Sequence, residues 1–243
     1  MPTVLLLGPD LTAVSGISTH LRLILESPLR VDFVLLHFRV GSEGRQESAL
    51  QKAWRAVASP WQLLGVLLCR RPDVVHINTA MDAKAFWRDL VYLAVSRICG
   101  TKIVLQVHGG ALPQDFTSGS APLAWLLRRV LAVPDQLLLL GSSEYEAYRA
   151  FAPRVRAQVV ANAIDMAPTV REARERFDEH GHLKLVFIGR LVAAKGLFEA
   201  IEAIAETGIA VEVSTAGLRK GVGEIYPAPA FMEMCVDAGA AFA

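Results

Sequence analysis

Short, nearly unbroken apolar runs alternate with segments of helical spacing along most of this chain, and that alternation constrains its fold more than any other feature. The runs lie at 3–8, 31–38, 73–78, 102–108, 135–141, 157–161, 183–189 and 209–216. Each has the continuous hydrophobicity of a strand buried on both faces of a parallel sheet. Between them, Ile17, Leu21, Ile24 and Leu25 fall at i, i+4, i+7 and i+8, and Leu197, Ile201, Ile204 and Ala205 repeat the spacing. Strand then helix, repeated, predicts a doubly wound α/β fold.

The chain has 243 residues, about 1.6 domains at roughly 150 residues each. The alternation breaks after Asn162 into Asn-Ala-Ile-Asp-Met-Ala-Pro and a polar stretch holding Arg171, Glu172, Arg174, Glu175, Arg176, Asp178 and Glu179. A linker there predicts a first domain over 1–168 and a shorter second one over 169–243, of about one strand-helix-strand unit plus a tail. The tail from Gly217 is rich in Gly, Pro and Ala without clear periodicity. With 53% hydrophobic and 20% charged residues the chain is neither disordered nor collagenous. Seventeen basic and 13 acidic residues precede Thr169, and 8 and 11 follow it. That balance excludes a nucleic-acid partner but leaves a mildly basic first domain.

Cys69, Cys99 and Cys235 lie far apart without CxxC spacing, which fits reduced thiols. Met1-Pro2-Thr3 runs straight into the first apolar run with no basic leader, so a cytoplasmic protein is expected. The longest uncharged stretch, 56–69, has 14 residues and contains Pro60, against about 20 needed to cross a bilayer. With Trp54, Trp61, Arg55, Arg70 and Arg71 around it, this stretch could instead lie on a membrane surface, making the protein peripheral at the inner face. A helix packed into the interior is the plainer expectation.

In an open α/β sheet ligands bind beyond the carboxyl ends of the strands, so the loops there carry the chemistry. The first such loop ends in Ser15-Gly16 at the start of a helix. Ser15 can cap that helix, and Gly16 lets the backbone amides approach an anion. There is no G-x-G-x-x-G, which speaks against a nicotinamide or flavin dinucleotide. His108-Gly109-Gly110 ends the fourth run and places an imidazole beside two flexible residues, where it can bond a sugar hydroxyl or a developing charge. Arg190 and Lys195 flank a loop between a strand and a helix start, two fixed cations beside the positive end of a helix dipole, suited to a pyrophosphate. No G-x-x-x-x-G-K-[ST] is present, so ATP-driven phosphoryl transfer is disfavoured.

Other constellations are plainer. Glu199, Glu202 and Glu206 share one helix face and predict a solvated surface. His180 and His182 lack a third ligand in sequence, so no metal site is expected. Ser142 and Ser143 follow a strand without G-x-S-x-G and predict a helix cap rather than a hydrolase nucleophile.

Taken in order, these pieces resemble the retaining GT-B glycosyltransferases of family 4. They are Ser15-Gly16-Ile17-Ser18-Thr19-His20; His108-Gly109; Asn162-Ala163-Ile164-Asp165, similar to an Asn-Gly-Val-Asp interdomain turn; and Phe187-Ile188-Gly189-Arg190-Leu191 with Lys195-Gly196. The resemblance implies a GT-B-like α/β fold, with a complete N-terminal Rossmann-like domain on the acceptor side and a partial second one on the donor side. It also implies transfer of a sugar from a nucleotide-sugar donor, with retention, to a glycan or lipid-linked acceptor in polysaccharide assembly. In that setting Arg190 and Lys195 would neutralise the donor diphosphate together with the backbone at Gly16, no metal or other cofactor being required. His108 would contact the transferred sugar, with Gly109, Ser15 and His20 beside the sugar or acceptor. No two glutamates stand eight apart, so the family's Glu-x7-Glu motif is missing, and a C-terminally shortened donor domain is expected. The alternatives are a non-catalytic binding module derived from the same fold and a GT-B-like nucleotide-sugar epimerase.

Overall fold

Six of the expected strands pair into one parallel sheet. The computed structural model describes residues 1–43, 45, 47–162, 197–207 and 229–240. Strands β1 (Thr3–Gly8), β2 (Val34–Arg39), β3 (Val74–Met81), β4 (Lys102–Gly110), β5 (Gln136–Leu139) and β6 (Ala157–Val159) lie in the order β2-β1-β3-β4-β5-β6. Every pairing is parallel. Strand β2 lies to one side of β1 and all later strands to the other, so the topological switch point is between β1 and β3. The expected strands at 183–189 and 209–216 lie outside the described residues.

Helices α1 (Gly16–Glu26), α2 (Leu29–Asp32), α3 (Ala49–Arg70), α4 (Ala83–Ile98), α5 (Pro113–Phe116), α6 (Ala121–Leu131) and α7 (Ser142–Phe151) connect these strands. Polar caps fix the longer ones. Ser15, Ser48, Asp82 and Ser120 each accept a bond from an orphan amide of the following helix, and Ser48 forms a reciprocal capping box with Gln51.

Boundaries depart from the apolar pattern where a local bond competes. The run at 31–38 starts as a strand only at Val34, because Pro28, with φ already helical, opens the single turn α2. The run at 135–141 stops at Leu139, because the Leu140 amide donates to the Glu144 carboxylate instead of the ladder. Gly141, not Ser142 or Ser143, is the N-cap of α7, and no side chain caps it.

Odd and even residues of the central strands meet different surroundings. Leu5, Leu7, Val75, Ile77, Ile103, Leu105, Leu137 and Leu139 join Leu63 and Leu67 of α3, Phe86 and Leu93 of α4, Leu127 and Leu131 of α6 and Tyr148 of α7 in one buried apolar cluster. The even positions of β3 and β4 carry His76, Asn78, Gln106 and His108, on the side where α1 brings His20.

The chain divides into the units Met1–Ala167 and Pro168–Ala243. In the second, α8 (Leu197–Thr207) and α9 (Pro229–Asp237) pack through Ile201 and Cys235, with Phe231 and Met234 against them. Glu199, Glu202 and Glu206 are exposed, as their spacing predicts. Helix α9 was hidden in the aperiodic tail because its apolar residues, Phe231, Met232, Met234, Cys235 and Val236, run nearly all round it and leave no helical period.

The end of β4 depends on glycine. Gly110 has φ +106, and a Cβ there would stand 2.5 to 2.8 Å from backbone atoms of Met81, whereas Gly109, at φ +88, faces open space. Gly110→Ala should therefore destabilise the chain by about 3 kcal/mol or more and Gly109→Ala by about 1 kcal/mol. Urea midpoints of the two variants measure the difference, and equal losses would contradict the Met81 contact.

Candidate functional site

The polar side chains of β3 and β4 form a buried seam. Gln106 Oε1 accepts from both His20 Nε2, at 3.2 Å, and His76 Nε2, at 3.1 Å. Asn78 donates through Nδ2 to the carbonyls of Leu7 and His76, which leaves its Oδ1 to accept from His108 Nε2 at 3.0 Å. The His20 and His108 rings meet edge to face, 4.7 Å between centroids. Both hydrogen-bonded histidine tautomers therefore keep the proton on Nε2 and a lone pair on Nδ1.

Three polar atoms of this seam are buried without a partner among the described residues: His20 Nδ1, His108 Nδ1 and Gln106 Nε2. Buried polar atoms are nearly always bonded, so these three stand out as hydrogen-bonding capacity that the described residues leave unused. Two of the atoms accept and the third donates twice.

Burial keeps these imidazoles neutral. Desolvation, reinforced by like charge from His20 and His76, pushes His108 down to about 3, with Asn162 beside the ring opposing the shift. Desolvation and His20 push His76 down to about 4, and desolvation lowers His20 against the help of Gln106. Near neutral pH the seam is a set of hydrogen-bonding groups, not of charges.

The loop after β1 is held from three sides. Ser18 Oγ donates to the Asp10 carbonyl at 2.8 Å, Arg39 of β2 pairs with the Asp10 carboxylate, and His37 Nε2 donates to the Pro9 carbonyl at 3.0 Å. Thr12 donates twice to the same carboxylate and lowers its pKa. Ser15 caps α1 with ordinary extended angles, φ −150 and ψ 156. Gly16 is exposed, and a Cβ there would meet nothing within 4 Å. Its amide thus opens the helix N-terminus to the outside, one turn before His20 on the same helix face.

Of the residues expected from sequence, the structure brings His20 and His108 into contact and sets Gly109 next to them. Ser15 and Gly16 stand at the start of the helix that carries His20. Arg190 and Lys195 lie outside the described residues, as do His180 and His182. Asn162, the first residue of the interdomain-like turn, reaches the His108 ring. His76, Asn78 and Gln106 were not foreseen. Their signal was the period-2 placement of polar residues in His-Ile-Asn and Gln-Val-His, hidden when each run was taken as uniformly apolar.

A hollow of about 300 Å³ opens between the segment after β2 and α3, lined by Arg39, Arg45, Arg55, Glu47 and Trp54 among others. Arg39 pairs with Asp10, while Arg45 and Arg55 share the single carboxylate of Glu47, so the hollow keeps one positive charge in excess, with Arg45 Nε buried and without a partner among the described residues.

A Rossmann-like, all-parallel sheet of six strands with helices is consistent with a GT-B N-terminal domain. The model of the glycosyl transferase 4-like domain matches residues 22–163, more than half of the chain, and the chain belongs to that family. His108, Gly109 and the unforeseen His76, Asn78 and Gln106 fall inside the matched segment, while Ser15, Gly16 and His20 precede it. A comparison with curated proteins gives no match.

The neutral imidazoles make stability depend on pH. The unfolded chain takes up protons on His20, His37, His76 and His108 near pH 6.5, whereas the folded chain, with these pKa values lowered, refuses them. Their contribution is complete above pH 6.5 and declines as pH falls toward about 4 and then 3, above the range of the depressed carboxylates Asp10 and Asp135. Each such histidine adds up to about 1.4 kcal/mol per pH unit to the slope. Urea midpoints between pH 7 and 4.5 should fall steeply, and His76→Asn should flatten the fall; a midpoint independent of pH would contradict the buried neutral seam.

Proposed function

We propose that this chain transfers a sugar from a nucleotide-sugar donor to a glycan or lipid-linked acceptor with retention at the anomeric carbon. The observation that carries the proposal is the unpartnered trio His20 Nδ1, Gln106 Nε2 and His108 Nδ1 in a glycosyl transferase 4-like domain. A sugar hydroxyl both donates and accepts, so neighbouring hydroxyls can satisfy two acceptors and an amide donor together, which a plain apolar ligand or an inorganic anion cannot.

In this reading His108, neutral and at the edge of the seam, accepts a hydrogen bond from a hydroxyl of the transferred sugar through Nδ1, and Gly109 leaves room beside it. The donor diphosphate lies against the amides at Gly16 and against Arg190 and Lys195. As the bond from the anomeric carbon to the diphosphate breaks, negative charge grows on the leaving oxygen, and fixed cations stabilise that charge more than the ground state. The acceptor hydroxyl oxygen then bonds the anomeric carbon on the face that the diphosphate left, and its proton passes to the departing diphosphate oxygen. Ser15 holds the start of α1, and His20 and His76 hold Gln106 in place behind the sugar.

Calorimetric titration with UDP- and GDP-sugars, followed by product analysis with candidate acceptors, tests the proposal. His108→Ala should lower turnover about a hundredfold and, by leaving buried Asn78 Oδ1 without its donor, also lower the melting temperature, while Arg190→Ala or Lys195→Ala should weaken donor binding about tenfold or more. Donor binding untouched by both cation replacements would overturn the assignment of the diphosphate site.

A further inference from the structure

All four tryptophans of the chain are exposed, by 54 to 73%, and they stand on three helices that pack over the same apolar core. Trp54 and Trp61 are on α3, Trp87 on α4 and Trp125 on α6. Helix α3 packs against α4, and Leu90 and Leu93 of α4 share a small hollow with Leu127 and Leu131 of α6. The three helices are neighbours in one layer.

Their outward faces are apolar. On α3, Ser59, Leu63 and Leu67 are buried, while Leu50, Trp54, Val57, Trp61 and Leu68 are exposed. At 100° per residue the exposed set lies directly opposite the buried one. Helix α4 repeats this, with Leu93 and Ser96 buried and Trp87, Val91 and Ile98 exposed. The expectation that 56–69 packs wholly into the interior is thus corrected: one stripe of α3 is core and the opposite stripe, equally apolar, faces outward.

The charge on this layer has one sign. Helices α3, α4 and α6 contain eight basic residues and a single acidic one, Asp89. Asp89 is buried and bonded to Arg88 and Thr79, so it presents no negative charge outside. Lys84 and Arg129, which at 100° per residue fall beside Val91 and Trp125 on the outer faces of α4 and α6, hold no ion pair among the described residues.

We propose that the outer face of the α3, α4 and α6 layer is a docking surface for an anionic lipid bilayer. Apolar side chains would enter the acyl boundary, tryptophans would sit at the headgroup level where their amphipathic rings are favoured, and the unpaired cations would meet lipid phosphates. Helix α3 has 22 residues and spans about 33 Å, enough to lie along the surface. No described helix is long and apolar enough to cross a membrane, so docking is in the plane. Single exposed apolar residues are ordinary, but stripes on adjacent helices with one sign of charge match an anionic lipid surface.

The full chain is mixed with vesicles of phosphatidylcholine alone or of phosphatidylcholine with phosphatidylglycerol, without donor or acceptor, so the result is independent of the glycosyl-transfer proposal. Sedimentation should show binding to the anionic vesicles, with a blue shift of tryptophan emission and quenching by brominated lipid. Trp61→Ser with Trp87→Ser, both at exposed positions, should weaken partitioning at least about tenfold. Lys84→Gln with Arg129→Gln should weaken it about thirtyfold. Circular dichroism melting establishes that the variants fold. Equal partitioning on neutral and anionic vesicles, or absence of quenching, would overturn the proposal. So would a dimer in light scattering that the tryptophan replacements dissolve, because a second copy would then be the occupant.

Discussion

Everything in the first unit depends on the two faces of β3 and β4 being chemically unlike. The odd positions join the large apolar cluster under α3, α4, α6 and α7. The even positions place His76, Asn78, Gln106 and His108 where α1 covers them only in part. A buried polar face is stable only if its groups bond one another, and neutral imidazole, with one donor and one acceptor, is well suited to that. A protonated ring would lose an acceptor and bring like charge against its neighbours. The same burial that threatens the seam therefore fixes its protonation and leaves defined lone pairs at its edge.

Membership in the glycosyl transferase 4-like family gives this seam a chemical setting. The first unit holds an exposed helix start at Gly16, a strand end at Gly109 and Gly110, and a buried network short of hydrogen-bond partners among the described residues.

Much of the scaffold was legible in the sequence. Strand β1 matches its apolar run residue for residue, and the i, i+4, i+7 spacing of Ile17, Leu21 and Ile24 marks α1. These signals are local and strong. What escaped were features decided by contacts distant in sequence. Asn78 joins the seam only because His108 of the neighbouring strand donates to its Oδ1, and Gly110 is obligatory only because Met81 crosses beside it. The outward stripe of α3 escaped for a different reason: an apolar residue on a helix does not reveal which side of the layer it faces until the partner helix is placed.

The edge strand β2 holds none of the seam, yet three of its bonds fasten the loop that begins α1: His37 to Pro9, Arg39 to Asp10, and the amide of Val40 just beyond it to the carbonyl of Gly8 at 2.7 Å. A loop tied down before any ligand arrives loses little freedom on binding, so affinity there is spared an ordering penalty. The outermost strand thereby acts as a tether, and loosening it would be felt as a remote effect on ligand capture rather than as a change in the chemistry.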